Sequence, residues 1–199
     1  MNRIKPLRLD ELPLEIRQRL EQAQALMGFA PNDALTMAHW PELLAAMEQL
    51  VQVIYRPGQL DPVLKRLIGT VTSGAAGCRY CQAHTAHGAV AMAGGDAEKV
   101  ASVWDYQTSD LFTPAERAAL DLALAAGTQP NGATDRHFRT LEKHFNNAQI
   151  MEIMGVISLF GFLNRWNDTL ATQLEDKPLS FAQDNLTLEQ WEAGKHAAG

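Results

Sequence analysis

The chemistry-bearing residues of this chain cluster around its two cysteines, Cys78 and Cys81, which are followed by His84. Two thiols at this spacing can close a disulfide without remote segments having to meet, so the pair can cycle between dithiol and disulfide. On a helix, His84 shares a face with Cys81 and can exchange a proton with that thiol. Peroxide reduction needs a thiolate, an acid for the departing oxygen and a second thiol that resolves the sulfenic acid. The spacing therefore predicts a redox-active thiol site.

The position of Cys78 adds to this prediction. If Cys78 lies in the first turn of a helix that continues through Gly88, the free backbone N–H groups and the positive end of the helix dipole favour a thiolate there. We therefore expect a reactive cysteine at the start of this helix. The alternative is that the two cysteines are buried and have no chemical role.

A metal site is the competing interpretation, because Cys78, Cys81, His84 and His87 follow one another at intervals of three residues. Each such step rotates a helical side chain back by about 60°, so His87 points roughly opposite to Cys78. Four ligands on one helix cannot surround one ion, and His87 is expected to be structural. With no third cysteine, four-thiolate zinc sites and secreted disulfide frameworks are also excluded within one chain. We predict no metal and no cofactor.

Composition indicates one domain, residues 1–182, followed by a weakly ordered polar tail, residues 183–199. The 199 residues are 46% hydrophobic, enough for one well-buried core. The net charge of −6 and the absence of a Lys/Arg cluster argue against a nucleic-acid partner. The longest apolar run, Ile153 to Leu163, is shorter than the roughly 20 residues needed to span a bilayer. No apolar stretch follows the basic N-terminus as in a secretion signal, so we expect a cytoplasmic protein without membrane contact.

Helix signals dominate the sequence. An apolar stripe at spacings of three and four predicts a first helix that ends at Gly28. Asp61 is expected to cap a helix that opens with Pro62, and Thr113 with Glu116 forms a capping box. A long apolar helix is predicted from about Ala148 to Leu170. No convincing strand is found, so the fold class is all-α. The residues of the first stripe are Leu12, Ile16, Leu20, Ala23 and Met27.

The segment from Gly77 to Ala89, together with residues 60–68 before it, resembles the signature of AhpD-like alkylhydroperoxidases, in the peroxidase-related branch of the carboxymuconolactone decarboxylase superfamily. Weaker similarity extends from about Leu12 to Leu174. The resemblance implies an AhpD-like bundle of about eight helices that assembles into homo-oligomers, either trimers or hexamers. It also implies peroxide reduction by a Cys-Xaa-Xaa-Cys pair that a dithiol reductant recharges. In such enzymes the second cysteine becomes the sulfenic acid and the first resolves it, which assigns these roles to Cys81 and Cys78.

Two positions depart from the family pattern. Arg66 stands twelve residues before the first cysteine, where the family places a relay glutamate. Thr85 stands at the usual position of the relay histidine, and His84, one residue earlier, is the natural substitute. Arg66 either lowers a thiol pKa through its charge or is a surface residue directed away from the thiols. Glu152 either restores a carboxylate to the site or is a solvated or interface residue.

A dense polar group also lies at the end of the long apolar helix, and it either borders a pocket or makes subunit salt bridges and caps. Its members are Asn164, Arg165, Asn167 and Asp168.

Three functions are compatible with this pattern. The preferred one is a thiol peroxidase that acts on hydrogen peroxide or small organic hydroperoxides. The second is a dithiol oxidoreductase or redox sensor without peroxidase turnover, suggested by Arg66 in place of glutamate. The third is lactone decarboxylation, the other chemistry of the superfamily, which does not need the cysteine pair. A thioredoxin-like enzyme is disfavoured, because the cysteine pair of such an enzyme follows a strand, whereas the segment before Cys78 is predicted to be helical.

Overall fold

The computed structural model describes residues 2–186 and 191–197. Within these ranges the chain forms ten α-helices, eight of them with seven or more residues, and no strand. This confirms the predicted all-α bundle of about eight helices. The helices are α1 (Leu14–Met27), α2 (Asn32–Met37), α3 (Pro41–Tyr55), α4 (Pro62–Ala75), α5 (Arg79–Ala91), α6 (Ala97–Ala101), α7 (Pro114–Gly127), α8 (Asp135–Leu141), α9 (Asn147–Leu170) and α10 (Asp176–Asn185).

Local signals in the sequence set the helix ends. Gly28 closes α1 with a φ of 82°, a left-handed conformation that glycine adopts without a Cβ clash. The Asp61 carboxylate accepts a hydrogen bond from the Leu64 N–H at the start of α4. Thr113 and Glu116 form the reciprocal capping box of α7. The first helix, the α4 and α7 starts and the long helix α9 therefore lie where the sequence predicted them.

Helix α4 is the centre of the bundle. Nine of its 14 residues are buried, and it packs against α5, α7 and α9. Gly69 allows this close packing, since a Cβ there would lie 2.7 Å from the Phe160 ring on α9 and 2.9 Å from Cγ2 of Thr85 on α5. The helix that carries the thiols is thus held firmly between α4 and α9.

Helix α10 and residues 191–197 also pack against α5. Helix α10 continues past residue 182 and packs on α5. Beyond it, Trp191 donates a hydrogen bond from Nε1 to Oε1 of Gln82 at 3.1 Å. The His196 carbonyl accepts one from the Leu174 N–H at 2.9 Å, and the His196 side chain is buried. The described part of the segment that we predicted as a polar tail is therefore packed against the domain.

None of the described helices combines the length and the apolar character that a membrane crossing requires. The longest, α9, has 24 residues.

Candidate functional site

Both cysteines are free thiols at the start of α5. Cys78 is the N-cap residue, Cys81 lies in the first turn, and both are buried. The amide of Asn167 on α9 donates a hydrogen bond to Sγ of Cys81 at 3.4 Å. The predicted helix start at Cys78 is present. At Cys81, burial, together with the neighbouring Cys78, raises the pKa well above its usual value. Cys81 therefore rests as a thiol and must lose its proton when it reacts.

His84 forms a buried ion pair with Glu175, whose Oε2 lies 2.6 Å from Nε2 of the imidazole. Burial alone would lower the pKa of His84, but the charge and hydrogen bond of Glu175 outweigh it and raise that pKa above its ordinary value. The pKa of Glu175 is lowered, because the pairing with His84 outweighs the effect of burial. The pairing thus favours the imidazolium form of His84 and the carboxylate form of Glu175.

Glu175 is the residue that the sequence analysis missed. It precedes α10 and is 91 residues from His84 in the chain. Its other carboxylate oxygen accepts hydrogen bonds from the Tyr80 hydroxyl at 2.9 Å and from the Asn32 N–H. The Tyr80 ring stacks on His84 with centroids 4.3 Å apart. Glu175 therefore places a carboxylate beside His84, although Arg66 stands where the family has its relay glutamate. No spacing in the sequence links Glu175 to the cysteine pair.

Asp33 and Asn167 extend this polar network. Nδ2 of Asn167 lies 3.4 Å from both Oδ2 of Asp33 and Sγ of Cys81. Burial raises the pKa of Asp33, and the nearby charge of Glu175 raises it further. Of the polar group that the sequence places at the end of α9, Asn167 thus borders the thiol site itself.

A cavity of about 280 Å³ adjoins Cys81 and His84. Tyr55 and Arg66 line another part of it, with the Arg66 guanidinium 3.8 Å from the centre of the Tyr55 ring. The Tyr55 hydroxyl is buried and has no hydrogen-bond partner among the described residues. Cys78 is not part of the wall. Most of the lining is apolar, including Leu20, Ala23, Met27, Met37, Leu44, Met47, Val51, Leu159, Phe160 and Leu163.

Arg66 and Glu152, whose roles the sequence left open, lie in different places. Arg66 borders the cavity on the Tyr55 side, with Nη2 3.7 Å from Sδ of Met92. Glu152 lies outside the cavity, pairs with buried Lys65 at 2.8 Å and accepts the Gln59 N–H at 2.8 Å. The contacts of Glu152 are those of a structural ion pair and not of a proton relay.

His87 and Thr85 also occupy defined positions. His87 lines the cavity, and its ring packs against those of Phe29 and Phe181. Burial lowers the pKa of His87, so its imidazole is neutral at neutral pH. The Thr85 hydroxyl bonds the Cys81 carbonyl at 2.8 Å and accepts the hydroxyl proton of Thr70 at 3.0 Å. Thr85 therefore ties α5 to α4 and does not replace the missing histidine.

Comparison with known proteins places this arrangement in a family. Residues 41–125 match the Carboxymuconolactone decarboxylase family. The structure of the debrominase Bmp8 is 33% identical, with a TM-score of 0.84 over 92% of this chain and 97% of that one. The chain belongs to the carboxymuconolactone decarboxylase family. A second Bmp8 structure, a cysteine-to-alanine variant in complex with 2,3,4-tribromopyrrole, is 32% identical with a TM-score of 0.85 over 91% of this chain and 96% of that one.

The chain is also similar to two further proteins. A peroxidase-related protein of Ralstonia eutropha JMP134, described as an alkylhydroperoxidase AhpD core, is 27% identical with a TM-score of 0.80. The match covers 91% of this chain and 95% of that protein. The protein YnjA of Escherichia coli (strain K12) is 31% identical over 111 residues, which are 56% of this chain and 60% of YnjA. The chain thus matches less than two thirds of the length of YnjA, and it is an AhpD-like member of the family.

Proposed function

We propose that this chain is a thiol-dependent peroxidase that reduces hydrogen peroxide or small organic hydroperoxides through a dithiol/disulfide cycle of Cys78 and Cys81. The observation that carries the proposal is the His84–Glu175 ion pair at a cavity that His84 shares with the free thiol of Cys81. A protonated histidine can serve as the acid that this reaction needs. The mostly apolar lining favours small organic hydroperoxides over charged substrates.

The first step forms the sulfenic acid. The Cys81 sulfur attacks one peroxide oxygen, and the O–O bond breaks. His84 donates a proton to the departing alkoxide or hydroxide, and the proton lost by Cys81 restores the imidazolium. The Asn167 N–H stabilises the developing negative charge on sulfur. The products are an alcohol, or water, and Cys81 sulfenic acid.

The second step restores the thiols. The Cys78 sulfur attacks the Cys81 sulfur, the S–O bond breaks, and water leaves with the thiol proton. An external dithiol then reduces the disulfide by exchange through a mixed disulfide. In sum, one hydroperoxide and one dithiol give one alcohol, one water and one oxidised dithiol. Because the cycle depends on a thiol reductant, it favours a reducing compartment such as the cytoplasm.

A second candidate, thiol-dependent reductive dehalogenation, is favoured by the 33% identity to a debrominase over 92% of the chain. The same two thiols would supply the electrons: Cys81 takes bromine from the carbon, the carbon takes a proton, and Cys78 displaces bromide to form the disulfide. One brominated substrate and two thiols then give the debrominated product, bromide, a proton and one disulfide. The apolar cavity suits a small aromatic ring equally well.

Turnover assays with dithiothreitol separate these functions. We expect the wild type to consume cumene hydroperoxide or hydrogen peroxide, and Cys78→Ser and Cys81→Ser to lose multiple turnover. Bromide release from 2,3,4-tribromopyrrole without peroxide consumption would overturn the peroxidase proposal in favour of dehalogenation. Reversible disulfide formation without consumption of either substrate would support a redox sensor, and activity that survives Cys81→Ser would contradict both thiol mechanisms.

A further inference from the structure

Cys78, which does not line the cavity, has polar neighbours of its own. Its Sγ, a ring nitrogen of His196 and a carboxylate oxygen of Asp168 all lie within 4.8 Å of one another. Cys78 and His196 are buried, whereas Asp168 is partly exposed. His196 comes from the 3₁₀ turn Gly194–His196, and Asp168 from the last turns of α9. The two cysteines thus face different groups: Cys81 adjoins the cavity and Cys78 the C-terminal segment.

The hydrogen bonds of His196 determine which of its nitrogens faces this group. Nδ1 lies 2.7 Å from the carbonyl oxygen of Thr172. A carbonyl only accepts, so Nδ1 carries the proton and the neutral ring presents an unprotonated Nε2. The His196 side chain is only 1% exposed, and its Nε2 has no hydrogen-bond partner in the described residues. Burial lowers the pKa of His196, which keeps the ring neutral and its lone pair available.

Asp168 is placed to stabilise the ring once it takes up a proton. Its Oδ1 lies 3.5 Å from Nε2 of His196, and its Oδ2 pairs with Nζ of Lys195 at 2.7 Å. The Tyr80 ring, 6.1 Å away between centroids, is the aromatic neighbour from α5. The charged and titratable groups that face His196 are therefore Asp168, Lys195, Tyr80 and Cys78 itself. A neutral base beside a fixed carboxylate is an arrangement that activates a nucleophile.

We infer that His196 is the general base that removes the Cys78 proton whenever Cys78 attacks an oxidised sulfur, and that Asp168 is its positioning residue. In the peroxidase cycle, Nε2 takes the thiol proton as the Cys78–Cys81 bond forms, and the hydroxide released from Cys81 receives that proton and leaves as water. The inference rests on the proposed function only for the identity of the oxidised sulfur. Each thiol then has its own histidine and carboxylate: Cys81 lines one cavity with His84, which pairs with Glu175, and Cys78 lies beside His196 and Asp168.

The test follows thiol chemistry without peroxide. Reduced protein is mixed with 5,5′-dithiobis(2-nitrobenzoate) and a metal chelator in a stopped-flow instrument. Thionitrobenzoate is released once when the reagent forms a mixed disulfide, and again when the second thiol displaces it. The phase in which Cys78 is the nucleophile is the one that Cys78→Ser removes. Because no hydroperoxide is used, the result stands whether or not the protein reduces peroxides.

His196→Ala is expected to slow the Cys78 phase by about 10²-fold near neutral pH. Added imidazole should restore part of the rate, and Asp168→Asn should slow the phase to a smaller extent. His144→Ala, at an exposed histidine, is the matched control and should leave every phase unchanged. The same rate and pH dependence in His196→Ala as in the wild type would overturn the inference. So would an equal slowing of the Cys81 phase, since this would indicate a general loss of structure.

Discussion

At the scale of single residues, the ion pair of His84 and Glu175 decides the protonation state of the candidate site. The two side chains are 16% and 7% exposed, and Glu175 also accepts hydrogen bonds from Tyr80 and Asn32. A carboxylate with this many partners is fixed in position and charge. His84 can therefore act as an acid, while the raised pKa of Cys81 keeps the thiol protonated until a substrate arrives.

The pH profile of Glu175→Gln tests this assignment. Glutamine keeps the shape of the side chain and one acceptor oxygen, but it removes the charge that raises the pKa of His84. His84 should then lose its proton at lower pH, so the alkaline limb of kcat/KM for hydroperoxide should move to lower pH. On that limb the variant should be about 10² times less active than the wild type. Glu142→Gln, at an exposed site, is the control. Superimposable profiles of Glu175→Gln and the wild type would contradict the role of Glu175.

Tyr55 is the second residue whose contacts lead to a prediction. Its side chain lines the cavity beside Arg66, and its hydroxyl is buried without a partner in the part of the chain that the structure describes, so we expect it to donate a hydrogen bond to a bound substrate. Tyr55→Phe should raise KM by about threefold to tenfold, the value of one hydrogen bond. The free energy of unfolding should not fall, because the substitution removes an unsatisfied polar group. A destabilised variant with unchanged KM would show that the hydroxyl has only a structural partner.

At the scale of elements, the His84–Glu175 pair ties α5 to the start of α10, and its contribution to stability depends on pH. The pKa of Glu175 is lowered in the folded protein. Its contribution to the free energy of unfolding is therefore complete above pH 4.5, its ordinary pKa, and is lost as the pH falls through the pKa of the folded state. The pKa of His84 is raised in the folded protein. Its contribution to the free energy of unfolding is therefore complete below pH 6.5, its ordinary pKa, and is lost as the pH rises through the pKa of the folded state.

Urea unfolding at a series of pH values checks this linkage. The wild type should exceed His84→Gln in the free energy of unfolding by roughly 3 kcal/mol, the cost of breaking a buried ion pair. This difference should be largest between pH 4.5 and pH 6.5 and should decrease at lower and at higher pH. An advantage that does not change with pH would show that the two groups are not charged together.

The Lys65–Glu152 pair joins α4 to α9 in the same way. Nζ of Lys65 is buried and also donates to the Ile54 carbonyl at 2.8 Å. Glu152→Ala leaves this ammonium without its counter-charge and should lower the free energy of unfolding by about 2–3 kcal/mol. The specific activity of the folded fraction should stay near that of the wild type. Glu142→Ala is the exposed control. Loss of activity without loss of stability would instead return Glu152 to the proton relay.

The sequence predicted the elements better than the contacts between them. Helix starts at Pro62 and Pro114 follow from neighbouring residues, because caps and turns are local. Cys81 and His84 line one cavity, which agrees with the prediction that residues three apart share a helix face. Glu175 and His196 could not be predicted, because each reaches the thiols only through the packing of a distant segment on α5. The catalytic roles of Cys78, Cys81 and His84 stay predictions.

At the scale of the whole molecule, one face carries exposed apolar side chains next to each other. Leu50, Val53 and Met151 are 43%, 54% and 67% exposed and line a groove of about 600 Å³ between α3 and α9. Monomers rarely expose neighbouring apolar groups of this kind, and a second copy of the chain can cover them. We therefore predict a homo-oligomer that uses this face, and the family resemblance implies that it is a trimer or a hexamer.

Sedimentation analysis tests this assembly. The double variant Val53→Asp with Met151→Asp should sediment at a lower mass than the wild type, because a buried charge opposes association. Leu26→Asp is the matched control, since Leu26 is 83% exposed and lies on α1, away from this groove. A wild type that sediments as a monomer at all concentrations would contradict the prediction.

The most direct test of the account is the chemical state of each thiol after one equivalent of hydroperoxide. The wild type should form a Cys78–Cys81 disulfide, and Cys78→Ser should form a sulfenic acid that dimedone traps on Cys81, as read by mass spectrometry. Cys81→Ser should give neither product. Two reduced thiols in the wild type after this treatment, or a dimedone adduct on Cys78 in place of Cys81, would contradict the proposed dithiol cycle.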